Sequence, residues 1–127
     1  MKKLLIIPIL FICFCGLAQA VDSASIIGKP IKFGNILVAQ HDFPKQMDWN
    51  DATKVTAALG KGWRLPTQVE LNMIYQNLTK NGGFSDGEFW TSTAFDDESA
   101  WVQNLTNGGQ ILNSKEETYY VRAVKTL

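Results

Sequence analysis

Two stretches of the chain carry apolar residues at helical spacing. Asp48 is a residue type that caps helix N-termini, and Gly60 is a typical helix stop. Between them the apolar series is Trp49, Ala52, Val55 and Leu59. Further on, Thr67 and Glu70 have the spacing of a capping box, in which each residue satisfies a backbone N–H of the other. The apolar series after that box is Leu71, Ile74, Tyr75 and Leu78. The pattern predicts two amphipathic helices, the second ending near residues 81–83.

Short apolar segments of β type occupy most of the remaining chain. Ile31 to Phe33 and Ile36 to Val38 flank Gly34-Asn35, a pair suited to a tight turn, and predict a small hairpin. Residues 21–25 form a short polar segment, for which we predict no helix or strand. After residue 83 the predicted strands are Glu88 to Ala94, Ala100 to Leu105, Gln110 to Asn113 and Thr118 to Val124.

The order of these elements predicts an α+β domain. Helices come before most strands, which favours an antiparallel sheet over a parallel repeat of strand, helix and strand. Thr106 to Gly109 is a hairpin turn signal. The aromatic and β-branched content of Tyr119 to Val124 is typical of a central strand.

The first twenty residues have the pattern of a secretory signal peptide. Lys2 and Lys3 precede an apolar run, and Ala18-Gln19-Ala20 resembles a cleavage site. We expect export to the periplasm, the cell surface or the medium, with no stable membrane span after cleavage, and one domain over residues 21–127. Both cysteines lie in the leader, so the exported chain would have no disulfide and no thiolate site.

Charge argues against a polyanionic partner. Without Lys2 and Lys3, ten basic side chains face twelve acidic ones. We therefore expect no nucleic-acid ligand. We also expect no cofactor.

The residues that could support catalysis are sparse. His41 is the sole histidine and stands beside Asp42, which suggests an acid–base dyad, but a lone loop histidine is usually solvated. Ser92 lacks the glycine-flanked turn of a hydrolase nucleophile. We expect no enzymatic activity.

Charged residues suggest two kinds of structural or metal site. Asp96, Asp97 and Glu98 form the densest acidic cluster and are weak candidates for calcium, although a solvated loop tip is the simpler interpretation. Arg64 and Arg122 lie within apolar sequence. Each is expected to be held by a carboxylate, with Glu70 a possible partner for one of them.

The segment from Phe95 to Ser114 is rich in short polar side chains on loops and one hairpin. Such groups suit adaptable hydrogen bonding to a sugar or a protein. An ordinary hairpin with a solvated outer face is the alternative. The candidate ligand-binding residues are Phe95, Asp96, Asp97, Glu98, Gln103, Asn107, Gln110 and Asn113, with Trp101 expected chiefly in the core.

Five ordered motifs resemble one bacterial family, the domain at the C-terminus of the Legionella collagen-like adhesin. They run from about Ile36 to Val124. The motifs are Asp48-Trp49-Asn50-Asp51-Ala52, Gly62-Trp63-Arg64-Leu65-Pro66-Thr67 with Glu70, Phe89-Trp90-Thr91-Ser92-Thr93, Ala100-Trp101 followed by Asn107-Gly108, and Tyr120-Val121-Arg122-Ala123-Val124. Within them, the residues expected to be structural are Asp48, Trp49, Trp63, Arg64, Thr67, Glu70, Trp90, Trp101 and Arg122.

The resemblance implies a C-type-lectin-like fold with two helices packed on small antiparallel sheets. It also implies a secreted, non-enzymatic, adhesin-like domain that binds a glycan or a protein. The alternatives are a structural component of a surface or periplasmic complex, or a hypervariable ligand-display protein similar to those of diversity-generating retroelements. Formylglycine-generating enzymes share a similar Arg-Leu-Pro-Thr turn, but their activity depends on cysteines.

Overall fold

The computed structural model describes residues 22–80 and 83–127. The expected signal peptide lies outside these residues. Within them, no helix is both long and apolar enough to cross a membrane. The elements in chain order are α1 (Ser23–Ile27), β1 (Ile31–Phe33), β2 (Ile36–Val38), α2 (Trp49–Ala57), β3 (Trp63–Arg64), α3 (Gln68–Leu78), β4 (Glu88–Ala94), β5 (Ser99–Asn104), β6 (Gln110–Ser114) and β7 (Val124–Thr126).

Both predicted helices are confirmed, together with their N-terminal caps, although α2 ends at Ala57 with Ala58 as its C-cap, before the predicted stop at Gly60. The Asp48 carboxylate accepts from the Asp51 N–H at the start of α2. Thr67 and Glu70 form the complete capping box at the start of α3, which ends at Leu78, short of residues 81–83. Helix α1 was not predicted. Asp22 caps it, Ile26 is buried in the core and Ile27 packs against the core, so two apolar side chains anchor a segment that begins with polar residues.

The strands form two antiparallel sheets. The four-stranded sheet has the order β1-β2-β7-β3 and the three-stranded sheet the order β4-β5-β6. The predicted hairpin of β1 and β2 is confirmed, with Gly34 at a φ of 62° in its turn. Strand β3 was not predicted, because its two residues pair only with the distant β7.

The prediction of a regular strand from Thr118 to Val124 is wrong. The strand at the end of the chain is β7, which begins at Val124 and is central in its sheet, while Tyr119 and Tyr120 make only isolated bridges. The preceding residues hydrogen-bond to several segments in turn: Tyr119 to Met47, Tyr120 to Glu88 and Trp90, and the carbonyls of residues 121 and 123 to the N–H groups of residues 43 and 39. This extended segment joins the two sheets and is buried because it lies between them.

Two apolar clusters fill the domain. The larger packs Trp90, Ala100 and Val102 of the three-stranded sheet against residues that include Phe43 and Trp63. In the smaller, α3 covers Phe89 and Val124 from the two sheets with Leu71 and Ile74. The three-stranded sheet therefore has core on both faces near β4, whereas the outer strand β6 is largely exposed.

Candidate functional site

The exposed candidate residues of the segment from Phe95 to Ser114, with two neighbours in β6, are here called the hairpin surface. It combines the turn before β5, the turn after β5 and the outer strand β6. Its residues are Phe95, Asp96, Asp97, Glu98, Asn107, Gln110, Ile111 and Leu112, all exposed. Most of the candidate ligand-binding residues are therefore accessible, at the two turns and along the outer strand.

Three large apolar side chains stand out on this surface. Phe95 is 65% exposed, Ile111 45% and Leu112 36%. Ile111 and Leu112 were not among the predicted residues. Strand alternation points these two side chains to opposite faces of the sheet, so their joint exposure shows that neither face is fully covered at β6.

The carboxylates on the hairpin surface do not converge on a metal site. Asp96 Oδ1 accepts from the N–H groups of Glu98 and Ser99, at 2.9 and 2.8 Å, and so closes the turn. Among the described residues, no group of three histidine, cysteine or acidic side chains is placed to hold a metal ion. The arrangement does not support the calcium alternative for Asp96, Asp97 and Glu98.

Gln103 is placed differently from the other candidates, because it is fully buried. Its Nε2 donates to Asn72 Oδ1 at 2.8 Å and to the Gly108 carbonyl at 3.2 Å. Its Oε1 accepts from Gln110 Nε2 at 3.4 Å, and Gln110 Oε1 accepts from Gln68 Nε2 at 3.3 Å. This corrects the expectation that Gln103 contacts a ligand: its amide ties the hairpin to α3.

Gln68 and Asn72 also belong to this amide network, although neither was among the predicted site residues. They stand four residues apart on α3, beside the apolar stripe that begins at Leu71. Polar residues at that spacing share one helix face, which is the signal that could have identified them. Asn107 and Asn113 lie outside the network. The Asn107 side-chain Oδ1 accepts from the Gly109 N–H in the hairpin turn, and Asn113 pairs with Ala100 in the sheet.

Both arginines are held by carboxylates, as predicted. Arg64 makes a bidentate contact with Glu70, with N–O distances of 2.7 and 3.0 Å, and also donates to Thr126. Hydrogen bonding from Arg64 lowers the pKa of Glu70, and the reciprocal bond raises the pKa of Arg64. Glu70 therefore serves the cap and an ion pair that reaches β7.

Arg122 is fully buried, next to the loop after β2 and the segment before β4. Its Nε donates to Asp42 Oδ1 at 2.7 Å, and its terminal nitrogens donate to the carbonyls of Ala39 and Gly83. Burial lowers the Arg122 pKa, and the Asp42 charge opposes that shift. Asp42 also accepts from Ser85, so the suggested dyad of Asp42 with His41 is wrong.

The four tryptophans are structural to different degrees. Trp90 is fully buried and donates to the Met47 carbonyl, and Trp63 is buried beside it in the larger cluster. Trp49 is half-buried, donates to the Thr91 carbonyl and lies 4.3 Å beneath Lys115 Nζ. Trp101 is also half-buried, on the side of β5 that faces away from Val102.

A cleft of about 200 Å³ lies between α2, β3 and β4. The polar groups that line it are mostly engaged: the Trp49 indole N–H and Thr56 hydroxyl donate to carbonyls, and Arg64 is paired with Glu70. The lining residues are Trp49, Thr53, Thr56, Ala57, Trp63, Arg64, Leu65 and Ser92. Ser92 lies in β4, where its N–H donates to the Pro66 carbonyl, and His41 is exposed.

Solved structures similar to this chain are C-type-lectin-like proteins. Botrocetin matches with a TM-score of 0.59 and 11% identity, covering 79% of this chain and 98% of its own. EMS16, described as an antagonist of the collagen receptor integrin α2β1, matches with a TM-score of 0.58 and 12% identity, covering 77% and 97%. Botrocetin in complex with a mutant von Willebrand factor A1 domain matches with a TM-score of 0.57, at 12% identity and 79% and 98% coverage.

No curated protein matches the sequence. The family model of the Lcl C-terminal domain matches residues 30–125, which include both sheets, α2 and α3. The C-type-lectin-like fold expected from the five motifs is confirmed by the structural neighbours. The chain therefore belongs to the Lcl C-terminal domain family.

Proposed function

We propose that this protein is an exported, non-enzymatic recognition domain that binds a protein ligand through the hairpin surface. The observation that carries the proposal is the exposure of Phe95, Ile111 and Leu112 around the turn before β5 and the outer strand β6, with three acidic residues directly after Phe95. Exposed apolar side chains rimmed by polar groups are typical of protein interaction sites.

A protein ligand is favoured over a glycan by the shape and chemistry of this surface. The amides that would hydrogen-bond a sugar are largely engaged within the protein, since Gln103 is buried and Gln110 contacts both Gln68 and Gln103. Phe95, with 65% of its surface exposed, offers an aromatic anchor of the kind that dominates protein interfaces. Structural neighbours with this fold are described with protein partners, the von Willebrand factor A1 domain and an integrin.

Recognition is also favoured over catalysis. Asp42 is committed to Arg122, and His41 is exposed in a loop. The fold itself is shared with lectin-like binding proteins, although fold alone does not establish function. Export is proposed from the charged, apolar and small-residue pattern of residues 1–20.

Two variants matched in exposure test the proposal. Phe95→Ser removes an apolar anchor from the hairpin surface, and Leu127→Ser removes a side chain that is 60% exposed beside the β1–β2 turn. The purified wild-type protein and both variants are immobilised and offered envelope and secreted proteins of the producing cells. The same samples are applied to a glycan array with and without calcium.

We expect at least one protein to bind to the wild type and to Leu127→Ser but not to Phe95→Ser. The melting temperatures of the two variants should equal that of the wild type. Ile111→Ser should reproduce the loss. Binding only to glycans, or protein binding that ignores Phe95 and Ile111, would contradict the proposal. A partner retained equally by all variants would favour the structural or assembly role.

A further inference from the structure

The outer edge of β6 is an open strand edge, since no strand of residues 22–80 and 83–127 pairs with it. Strand β6 pairs with β5 on one side and is the last strand of its sheet. The opposite edge of that sheet, along β4, is covered, since Trp90 N–H donates to the Tyr120 carbonyl and Ser92 N–H to the Pro66 carbonyl. Within the described residues, the chain therefore supplies hydrogen-bond partners to the backbone of β4 but not to the outer edge of β6.

The register shows which backbone groups of β6 point outward. Asn104 N–H donates to the Gly109 carbonyl and Lys115 N–H to the Glu98 carbonyl, both at 2.8 Å, and the paired residues between them keep the same register. Hydrogen-bonded pairs alternate along an antiparallel ladder, so residues 109, 111, 113 and 115 face β5. The backbone N–H and C=O groups of Gln110 and Leu112 consequently point away from the sheet.

This edge lacks the features that usually protect one. Natural edge strands carry charges, prolines or bulges, or are very short. Strand β1 is three residues long with Lys32 at its centre, and β3 has two residues. The five residues of β6, Gln-Ile-Leu-Asn-Ser, include no charge and no proline, and its register with β5 has no bulge.

Charge is concentrated at one end of the edge. The Lys115 backbone N–H donates to the Glu98 carbonyl directly after β6, and Lys115 Nζ donates to the Asp96 carbonyl at 2.8 Å. Five exposed acidic residues and one lysine therefore lie in the two chain segments that meet at the C-terminal end of β6. The acidic residues are Asp96, Asp97, Glu98, Glu116 and Glu117.

We infer that the edge of β6 binds an extended segment of a protein partner as an additional antiparallel strand, with basic residues in the N-terminal half of that segment. Main-chain hydrogen bonds to Gln110 and Leu112 supply affinity, as in other strand-addition complexes. The antiparallel direction places the N-terminal half of the partner beside the five carboxylates. This inference rests on the proposed recognition of a protein through the hairpin surface, and it names the chemistry of that ligand.

A random peptide library tests the inference with the purified protein. Peptides of about 10 residues, enough to span β6 and its acidic end, are displayed on phage and selected for binding. We expect enriched sequences with β-branched residues and with Lys or Arg in the N-terminal half. Synthetic peptides with the reversed sequence should bind about tenfold more weakly, because their basic residues then lie away from the carboxylates.

Two substitutions at one position separate the backbone from the side chain. Leu112→Pro removes the outward N–H without removing a ladder bond to β5, and proline is tolerated at such edge positions. Leu112→Val keeps an apolar side chain and the N–H. We expect Leu112→Pro to lose selected peptides by about tenfold or more, and Leu112→Val to retain them within about threefold.

A measurement on the wild-type protein keeps the test valid if Leu112→Pro does not fold. A selected peptide is N-methylated at every second residue, in two versions offset by one residue. The version that methylates the N–H groups facing β6 should not bind, and the other version should bind nearly as well as the unmodified peptide. The inference would be overturned if both methylated versions bind equally well, if the selected peptides lack basic residues, or if the selection enriches no peptide. A dimer in sedimentation, lost in Leu112→Pro, would assign the edge to a second copy instead and would also overturn it.

The two proposals fail separately. If Phe95→Ser loses the captured partner while Leu112→Pro retains it, the hairpin surface binds a protein without strand addition. If neither variant changes capture, both proposals are wrong.

Discussion

Arg122 Nε lies 2.7 Å from Asp42 Oδ1, and the two residues stand 80 positions apart in the chain. The ion pair is enclosed: the Arg122 side chain has no exposed surface, the Asp42 side chain is 10% exposed, and the guanidinium lies 3.9 Å over the Phe84 ring. It joins the segment between the two sheets to the loop after β2. Removing one partner would leave the other charge buried without its counterion.

Asp42→Ala should therefore lower the free energy of unfolding by about 3–5 kcal/mol, the usual cost of an uncompensated buried charge. Urea unfolding followed by tryptophan fluorescence measures the change. The double variant Asp42→Ala with Arg122→Met should lose less than the sum of the two single losses, because it removes both charges. Strict additivity would show that the pair is not energetically coupled.

Glu70→Gln should lower stability at neutral pH by about 1–2 kcal/mol, because the cap and the pairing with Arg64 are both weakened. The folded protein lowers the pKa of Glu70, so its contribution is present above the unfolded value, near 4.3, and is lost as pH falls through the folded pKa. Unfolding midpoints of the two proteins should therefore converge in acid. A difference that stays constant from neutral pH to about pH 2 would contradict the role of ionised Glu70.

Gln103→Ala should destabilise the protein by about 1–3 kcal/mol, because Asn72 and Gln110 lose a buried partner. Asn113→Ala, in the neighbouring strand, provides the comparison. Asn113 is half-buried and makes no hydrogen bond through its side chain within the described residues, so the loss should stay within about 0.5 kcal/mol. Thermal melts of both variants measure the contrast, and equal losses would argue against the amide network.

Gly108→Ala should be markedly more destabilising than Gly34→Ala. Both glycines have positive φ, 85° and 62° respectively, so both substitutions carry backbone strain. An added Cβ at Gly108 would lie 2.6 Å from a ring carbon of Tyr75, whereas nothing lies within 4 Å at Gly34. We expect the steric overlap to add about 1–3 kcal/mol, measured as the difference between the two urea denaturation series. Similar losses would show that Tyr75 moves aside freely.

Local patterns were sufficient where a structural feature depends on nearby residues. Thr67 and Glu70 satisfy each other within one helical turn, so their spacing alone predicted the start of α3. The turn at Gly34 and the pairing of Arg64 with Glu70 also lie within a few positions. Local sequence patterns were therefore enough to predict the two helices, the first hairpin and one ion pair.

Long-range contacts decided the remaining features. Tyr119 to Val124 has the composition of a regular strand, yet its backbone bonds to several separate segments. Gln103 has the same polarity as Gln110, but α3 covers the first and leaves the second exposed. Composition describes a side chain and not the surface that packs against it, so neither outcome was available from local pattern.

The sequence by itself determined the α+β class, the two long helices with their N-terminal caps, the family and the presence of a polar hairpin. Its periodicity and capping residues act over a few positions, where chain connectivity already brings the groups together. Only the tertiary structure decided that Asp42 holds Arg122, that Gln103 is a structural residue and that β6 has an open edge. Each of these depends on which distant segments fill the space beside a residue, and that is settled by packing of the whole domain.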